Sequence, residues 1–170
     1  MYQRAWLNDD WDKNARDLMM SRMLRKPLSV MQKQVDDILG TKESFLREDS
    51  DRELPKFFIY SAHDTQIDSM LVFLSGDKES FDYVPFSSQI HFELFYSQSC
   101  VSGKTFFAMP SEECFGVSIR SNGEPMKLPG CSGDGFSNDE TGCTYKEFKD
   151  YMKTIWYSGK DADDLNKACS

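Results

Sequence analysis

The chain holds only two histidines, and one of them, His63, stands beside Asp64 in the stretch FFIYSAHDTQIDSMLVFLSG. A histidine next to a carboxylate can do acid–base or phosphoryl chemistry. A protonated imidazole holds a phosphate oxygen, and a neighbouring carboxylic acid gives a proton to a departing alkoxide. The plainer reading is local: Asp64 or Thr65 caps a helix and His63 satisfies a buried hydrogen bond. His91, the second histidine, lies in an alternating pattern and reads as a strand side chain.

The elements around the pair matter more than the dipeptide. Phe57–Tyr60 is a continuous apolar run, the pattern of a strand buried on both faces. Ile67, Met70, Leu71 and Leu74 then recur at helical spacing, and Gly76 closes the helix. A strand turning at once into a helix places His63 and Asp64 where open α/β sheets bind ligands. The free N–H groups and positive dipole end of the helix favour an anion there.

Upstream, the spacing predicts one helix ending before Pro27. A second carries Leu28, Met31, Val35, Ile38 and Leu39 and stops at Gly40. Downstream, Ile90, Phe92, Leu94 and Tyr96 alternate with His91, Glu93 and Phe95, a strand signal. KTFFAM and FGVSIRS are further candidate strands, and SNGEP between FGVSIRS and the next segment is a turn with Asn-Gly chemistry. Thr144 and Glu147 have capping-box spacing, followed by a helix with Tyr145, Phe148, Met152 and Ile155 on its buried side. DGFSNDETG looks like a calcium loop but puts Phe136 where an oxygen ligand is needed.

Composition bounds the function. The chain has 170 residues and a net charge of −8, which argues against nonspecific binding to nucleic acid or anionic membranes. No apolar stretch approaches the roughly 20 residues of a membrane span. MYQRAWLNDDWDK has neither the apolar core nor the cleavage site of a signal peptide, so the expectation is a cytosolic protein or a true N-terminus elsewhere. The cysteines favour the latter. Cys100 and Cys114 flank a hairpin, Cys131 and Cys143 flank a polar loop, and both pairs read as local disulfides of an oxidising compartment. The alternative is five reduced thiols. None has C-x-x-C spacing and no histidine lies near, which argues against zinc. Cys169 is left without a mate and points to a partner outside the chain.

FFIYSAHDTQI resembles the second signature of the histidine acid phosphatases. VPFSSQIHFEL is similar to that family's segment leading into a Phe-Glu-Leu strand, and GEPMKLPGC to its Leu-Pro-Gly-Cys segment. CTYKEFKDYMKTIW and NKACS are similar to its last helix and final cysteine. The resemblance runs in order from about Leu28 to the end. It implies that His63 binds the phosphoryl group and that Asp64 is the general acid, with no cofactor or metal. It also implies that the nucleophilic histidine belongs to an Arg-His-Gly motif, which this chain lacks. Cys100 and Cys114 depart from the family pattern.

The expected fold class is therefore α/β: part of a histidine-phosphatase-type sheet flanked by helices, with a disulfide-linked hairpin region and a final helix. Residues 1–56 are a helical segment and 57–170 the C-terminal part of the α/β domain. The expected function is the C-terminal portion of a histidine acid phosphatase acting on phosphate monoesters in the secretory pathway, a lysosome or outside the cell. It would be inactive alone and completed by an N-terminal half or another chain. That partner would add strands beside Phe57–Tyr60 and a cysteine to Cys169, over an interface beyond about 2,000 Å². The alternative is a noncatalytic, phosphatase-like subunit of a larger assembly. An unrelated redox or metal protein is a third and weaker reading.

Overall fold

The structure, a computed structural model, describes residues 10–40, 55–76, 84–103, 110–133 and 142–157. Across these the chain is mixed α/β, with a small antiparallel sheet, four helices and two disulfides. KTFFAM, residues 134–141 of the DGFSNDETG loop and Cys169 lie outside the described residues.

Helix α1 runs unbroken from Asp10 to Leu39, with Pro27 inside it. This corrects the expected break before Pro27. Proline removes one N–H and crowds the preceding turn, at about 3 kcal/mol in a helix interior. Leu24, Val30 and Val35 are buried on either side of it, and together their burial is worth more than that cost. The helix ends at Gly40, whose φ of +68° is the left-handed conformation that favours glycine. Near the start of α1, Arg16 and Asp17 form a buried ion pair at 2.9 Å.

Helix α2 spans Asp64–Ser75 and is closed by Gly76 in the left-handed conformation. Met70, Leu71 and Leu74 are buried and Ile67 packs at the margin, as the spacing predicts, and Phe73 is buried with them. They share one core with Met20, Leu24 and Val35 of α1 and with the sheet.

The sheet is built from strands β1 (Ile90–Tyr96), β2 (Phe115–Ser121), β3 (Glu124–Pro125) and β4 (Cys143–Thr144). β2 is central. It pairs antiparallel with β1 from Ile90↔Ser121 to Tyr96↔Phe115, and its other edge carries β3 and β4. Phe115, Val117 and Ile119 point into the core, and Ile90, Phe92 and Leu94 pack beside them from β1. The β2–β3 turn is Asn122-Gly123 with φ of +52° and +87°, the paired left-handed conformation of a tight hairpin. Asn122 also ties the strand entry: its N–H donates to the Gln89 carbonyl and its Oδ1 accepts from the Gln89 N–H, each at 2.9 Å.

Both disulfides expected from the sequence are present. Cys100–Cys114 joins α3 (Gln98–Val101) to the short 3-10 turn Glu112–Cys114, with Cα atoms 5.5 Å apart. Cys131–Cys143, at 5.0 Å, pins the segment after β3 to β4. Helix α4 (Tyr145–Ile155) follows β4 directly. Its capping box is complete: Thr144 Oγ1 accepts from the Glu147 N–H at 3.1 Å, and Glu147 Oε2 accepts from the Thr144 N–H at 3.0 Å. Tyr145, Phe148, Tyr151 and Met152 form its buried side. Tyr151 explains the glycine of Leu-Pro-Gly-Cys, because a Cβ at Gly130 would come within 2.7 Å of the Tyr151 side chain.

Candidate functional site

Residues 57–60 are not a sheet strand and not buried, contrary to the sequence reading. They lie outside the sheet's strands, with Phe57 77%, Ile59 79% and Tyr60 50% exposed. A run that is apolar on both faces earns burial only when other strands and helices cover it, and none of the described residues does so.

That segment delivers His63 to the start of α2. His63 is the N-cap, with extended φ −83° and ψ 164°, so neither Asp64 nor Thr65 holds the cap position. Its carbonyl accepts from the Gln66 and Ile67 N–H groups at 3.0 and 3.1 Å. Gln66 Oε1 reaches back to accept from the His63 N–H at 3.0 Å. Asp64 is the first helical residue, and its Oδ1 accepts from the Thr65 N–H at 2.8 Å. Both His63 and Asp64 are exposed, so the expected buried hydrogen bond of the plainer reading does not hold for His63. An anionic carboxylate here is favoured by the positive end of α2.

One turn on, Asp68 is half-buried, and burial, helped by the charge of Asp64, pushes its carboxyl above the usual range. Two carboxylates thus share this face of the helix. Among the described residues no hydrogen bond or ion pair joins His63 or Asp64 to an arginine or lysine. The arrangement presents a carboxyl group and an imidazole to an incoming group, and among the described residues no cation is bonded to either. His91 is elsewhere, exposed on β1 opposite Arg120.

A second concavity, which no local signal in the sequence announces, lies between α1 and α4. It is a groove of about 390 Å³ floored by Leu28, Phe148, Met152 and Trp156. Beside it a polar cluster locks three elements together. Gln32 Oε1 accepts from Tyr145 Oη and from Lys149 Nζ, each at 3.1 Å, and Gln32 Nε2 donates to Asp36 at 2.9 Å and to Glu112 at 3.2 Å. Lys149 closes the cluster with an ion pair to Glu112. Burial alone would raise the Glu112 carboxyl, but the hydrogen bonds from Lys149 and Gln32 outweigh it and hold it below the ordinary range. Burial, followed by the charges of Glu112 and Asp36, pushes the Tyr145 phenol upward. These residues are saturated by one another, so the cluster reads as a clamp between α1, the 3-10 turn and α4.

No group of histidine, cysteine and carboxylate side chains among the described residues could hold a metal ion, and no described helix is long and apolar enough to cross a membrane. Comparison of the chain with family models, curated proteins and solved structures finds no match.

Proposed function

We propose that this chain is the C-terminal portion of a histidine acid phosphatase, built to work with a second polypeptide. The observation that carries the reading is the apolar segment Phe57–Tyr60, with Phe57, Ile59 and Tyr60 exposed, running into an exposed His63-Asp64 pair at the head of α2. An apolar segment left open beside acid–base residues marks a place where another chain completes both the core and the site. In this reading His63 holds the phosphoryl group and Asp64 protonates the leaving alkoxide. The nucleophilic histidine and the arginines that clamp phosphate come from the partner. A phosphohistidine step needs that nucleophile, so the chain alone is inactive. The two disulfides support an oxidising compartment, that is, the secretory pathway, a lysosome or the extracellular space.

The noncatalytic reading also has a specific observation in its favour. No cation is bonded to His63 or Asp64 among the described residues, and Asp68 adds a second carboxylate beside them. An assembly could keep the completing partner and dispense with the chemistry.

Purification of the native protein with whatever it binds separates the readings. The expected result is hydrolysis of phosphate monoesters by the assembly and none by this chain alone. Asp64→Asn in the assembly should slow alkyl phosphates, which need help in leaving, about a hundred- to ten-thousand-fold more than activated aryl phosphates. Equal losses would assign Asp64 to the helix start alone. An inactive assembly would select the noncatalytic reading, and turnover by the isolated chain would overturn the split-site proposal.

A further inference from the structure

An N-cap residue usually closes the helix start with its own side chain. His63 does not: it makes no side-chain cap hydrogen bond, and the turn is closed from three residues on by Gln66. Gln66 Oε1 accepts from the His63 N–H, and the Gln66 N–H donates to the His63 carbonyl, each at 3.0 Å. The Ile67 N–H donates to the same carbonyl at 3.1 Å. Among the described residues the His63 main chain bonds to nothing but this first turn, because residues 57–62 before it belong to no helix or strand. The φ and ψ of His63 set where its Cβ points, and Gln66 holds the polar groups on both sides of those torsions.

The choice of glutamine is informative beside α4. There the same reach-back is made by a carboxylate, Glu147. Glutamate and glutamine serve equally well as the third helical residue of a capping box. They differ in charge. α2 already carries Asp64 and, one turn on, Asp68. Glutamine supplies the acceptor without a further negative charge, so the positive end of the helix is not cancelled where an anion would approach.

We propose that Gln66 is the positioning residue of the His63-Asp64 pair. It holds the His63 main chain so that the exposed imidazole is left for an anionic substrate, and it does so without a charge that repels that substrate. This rests on the phosphatase reading and adds a residue to it. Gln66 touches neither substrate nor reacting atoms. It acts through His63.

Two variants test it, Gln66→Ala and Gln66→Glu. In the full chain, backbone relaxation should give His63 an order parameter near 0.85, the value of rigid backbone, falling below about 0.6 in Gln66→Ala and retained in Gln66→Glu. The Phe73 and Leu74 amides, in the buried part of α2, report whether the helix itself remains folded. In the active assembly, Gln66→Ala should lower kcat/KM about ten- to a hundredfold, the scale of a small misplacement at a site. Alkyl and aryl phosphates should lose alike, because His63 holds the phosphoryl group common to both. Gln66→Glu should keep kcat and raise KM about fivefold, the effect of one more like charge at close range in water. A His63 that stays rigid in Gln66→Ala would overturn the proposal. So would an α2 that unfolds in Gln66→Glu, a loss confined to alkyl phosphates, which assigns the effect to Asp64, or a Gln66→Glu assembly with unchanged KM, which leaves Gln66 a helix cap and nothing more. An assembly inactive with the unmutated chain strikes the phosphatase reading and this proposal together, whereas an active assembly indifferent to Gln66 strikes this proposal alone.

Discussion

The two helix starts of this chain each have a side chain three residues on that accepts from the cap N–H, Gln66 at α2 and Glu147 at α4, but they differ in what precedes them. At α4 the cap is Thr144, its capping box is closed on both sides, and the strand before it is tied down by Cys131–Cys143. At α2 the cap is His63, and in the segment before it Phe57, Ile59 and Tyr60 are exposed. Both helices bury their apolar sides in the same core. The difference is thus not one of local folding strength. One entry has threonine at the cap, and the other has a histidine where serine, threonine or aspartate would cap better. Under the proposed function, the open end is the one that a second chain covers.

The sharpest way to break that comparison is to truncate one aromatic residue in each region. Phe148, 1% exposed on α4, should cost about 3–5 kcal/mol when changed to alanine, as buried phenylalanines do. Phe57→Ser should stay within about 0.5 kcal/mol in the isolated chain, as exposed positions do. Denaturant unfolding of both variants measures this directly. A large loss at Phe57 would mean that the segment is covered by its own chain, and the need for a partner would disappear.

Exchanging the caps is a finer probe. Thr144→Ala should lose about 1 kcal/mol, the usual cost of an N-cap hydroxyl whose N–H partner is left unmet. His63→Ser should hold stability level or raise it, since a hydroxyl is the better acceptor at that position. If His63→Ser destabilised as much as Thr144→Ala, His63 would be a structural cap like its counterpart. Thermal melts of the two variants side by side distinguish the cases.

The smallest effect expected is in pH. Glu147, held by Ser132 and Thr144 against the opposing effect of burial, and Glu112, held by Lys149 and Gln32, both sit below their ordinary 4.5 in the folded chain. Depressed carboxyls add stability above the unfolded value and lose it as pH falls through the folded one. The clamp around α4 should therefore be flat at neutral pH and weaken below about 4.5. Asp68 runs the other way. Its raised carboxyl makes the α2 start relatively more favourable as acid protonates it. Hydrogen exchange along the two helices as pH is lowered should show α4 loosening first, and loosening of α2 first would reverse the assignment.

Much of the fold was legible because its signals are local. The alternation from Ile90 to Tyr96, the Asn122-Gly123 turn, the Thr144–Glu147 box and the glycine stops at Gly40 and Gly76 each act through neighbours a few residues away. A turn needing positive φ selects asparagine and glycine wherever it occurs, and a helix end needs its cap whatever packs above it. The paired cysteines belong here too, since their short separations bring them to bridging distance once the turns form. Three matters belonged to the tertiary structure alone. Pro27 reads as a boundary, yet α1 continues through it because burial on both sides outweighs one lost hydrogen bond. Gln32, Glu112, Tyr145 and Lys149 meet across separations of 80 residues or more between Gln32 and the rest, and no short-range pattern foretells such a cluster. Phe57–Tyr60 carries the composition of a buried strand, but composition states only what a segment would gain from burial. Whether it is covered depends on which neighbours the fold brings to it, and in this chain the described residues bring none.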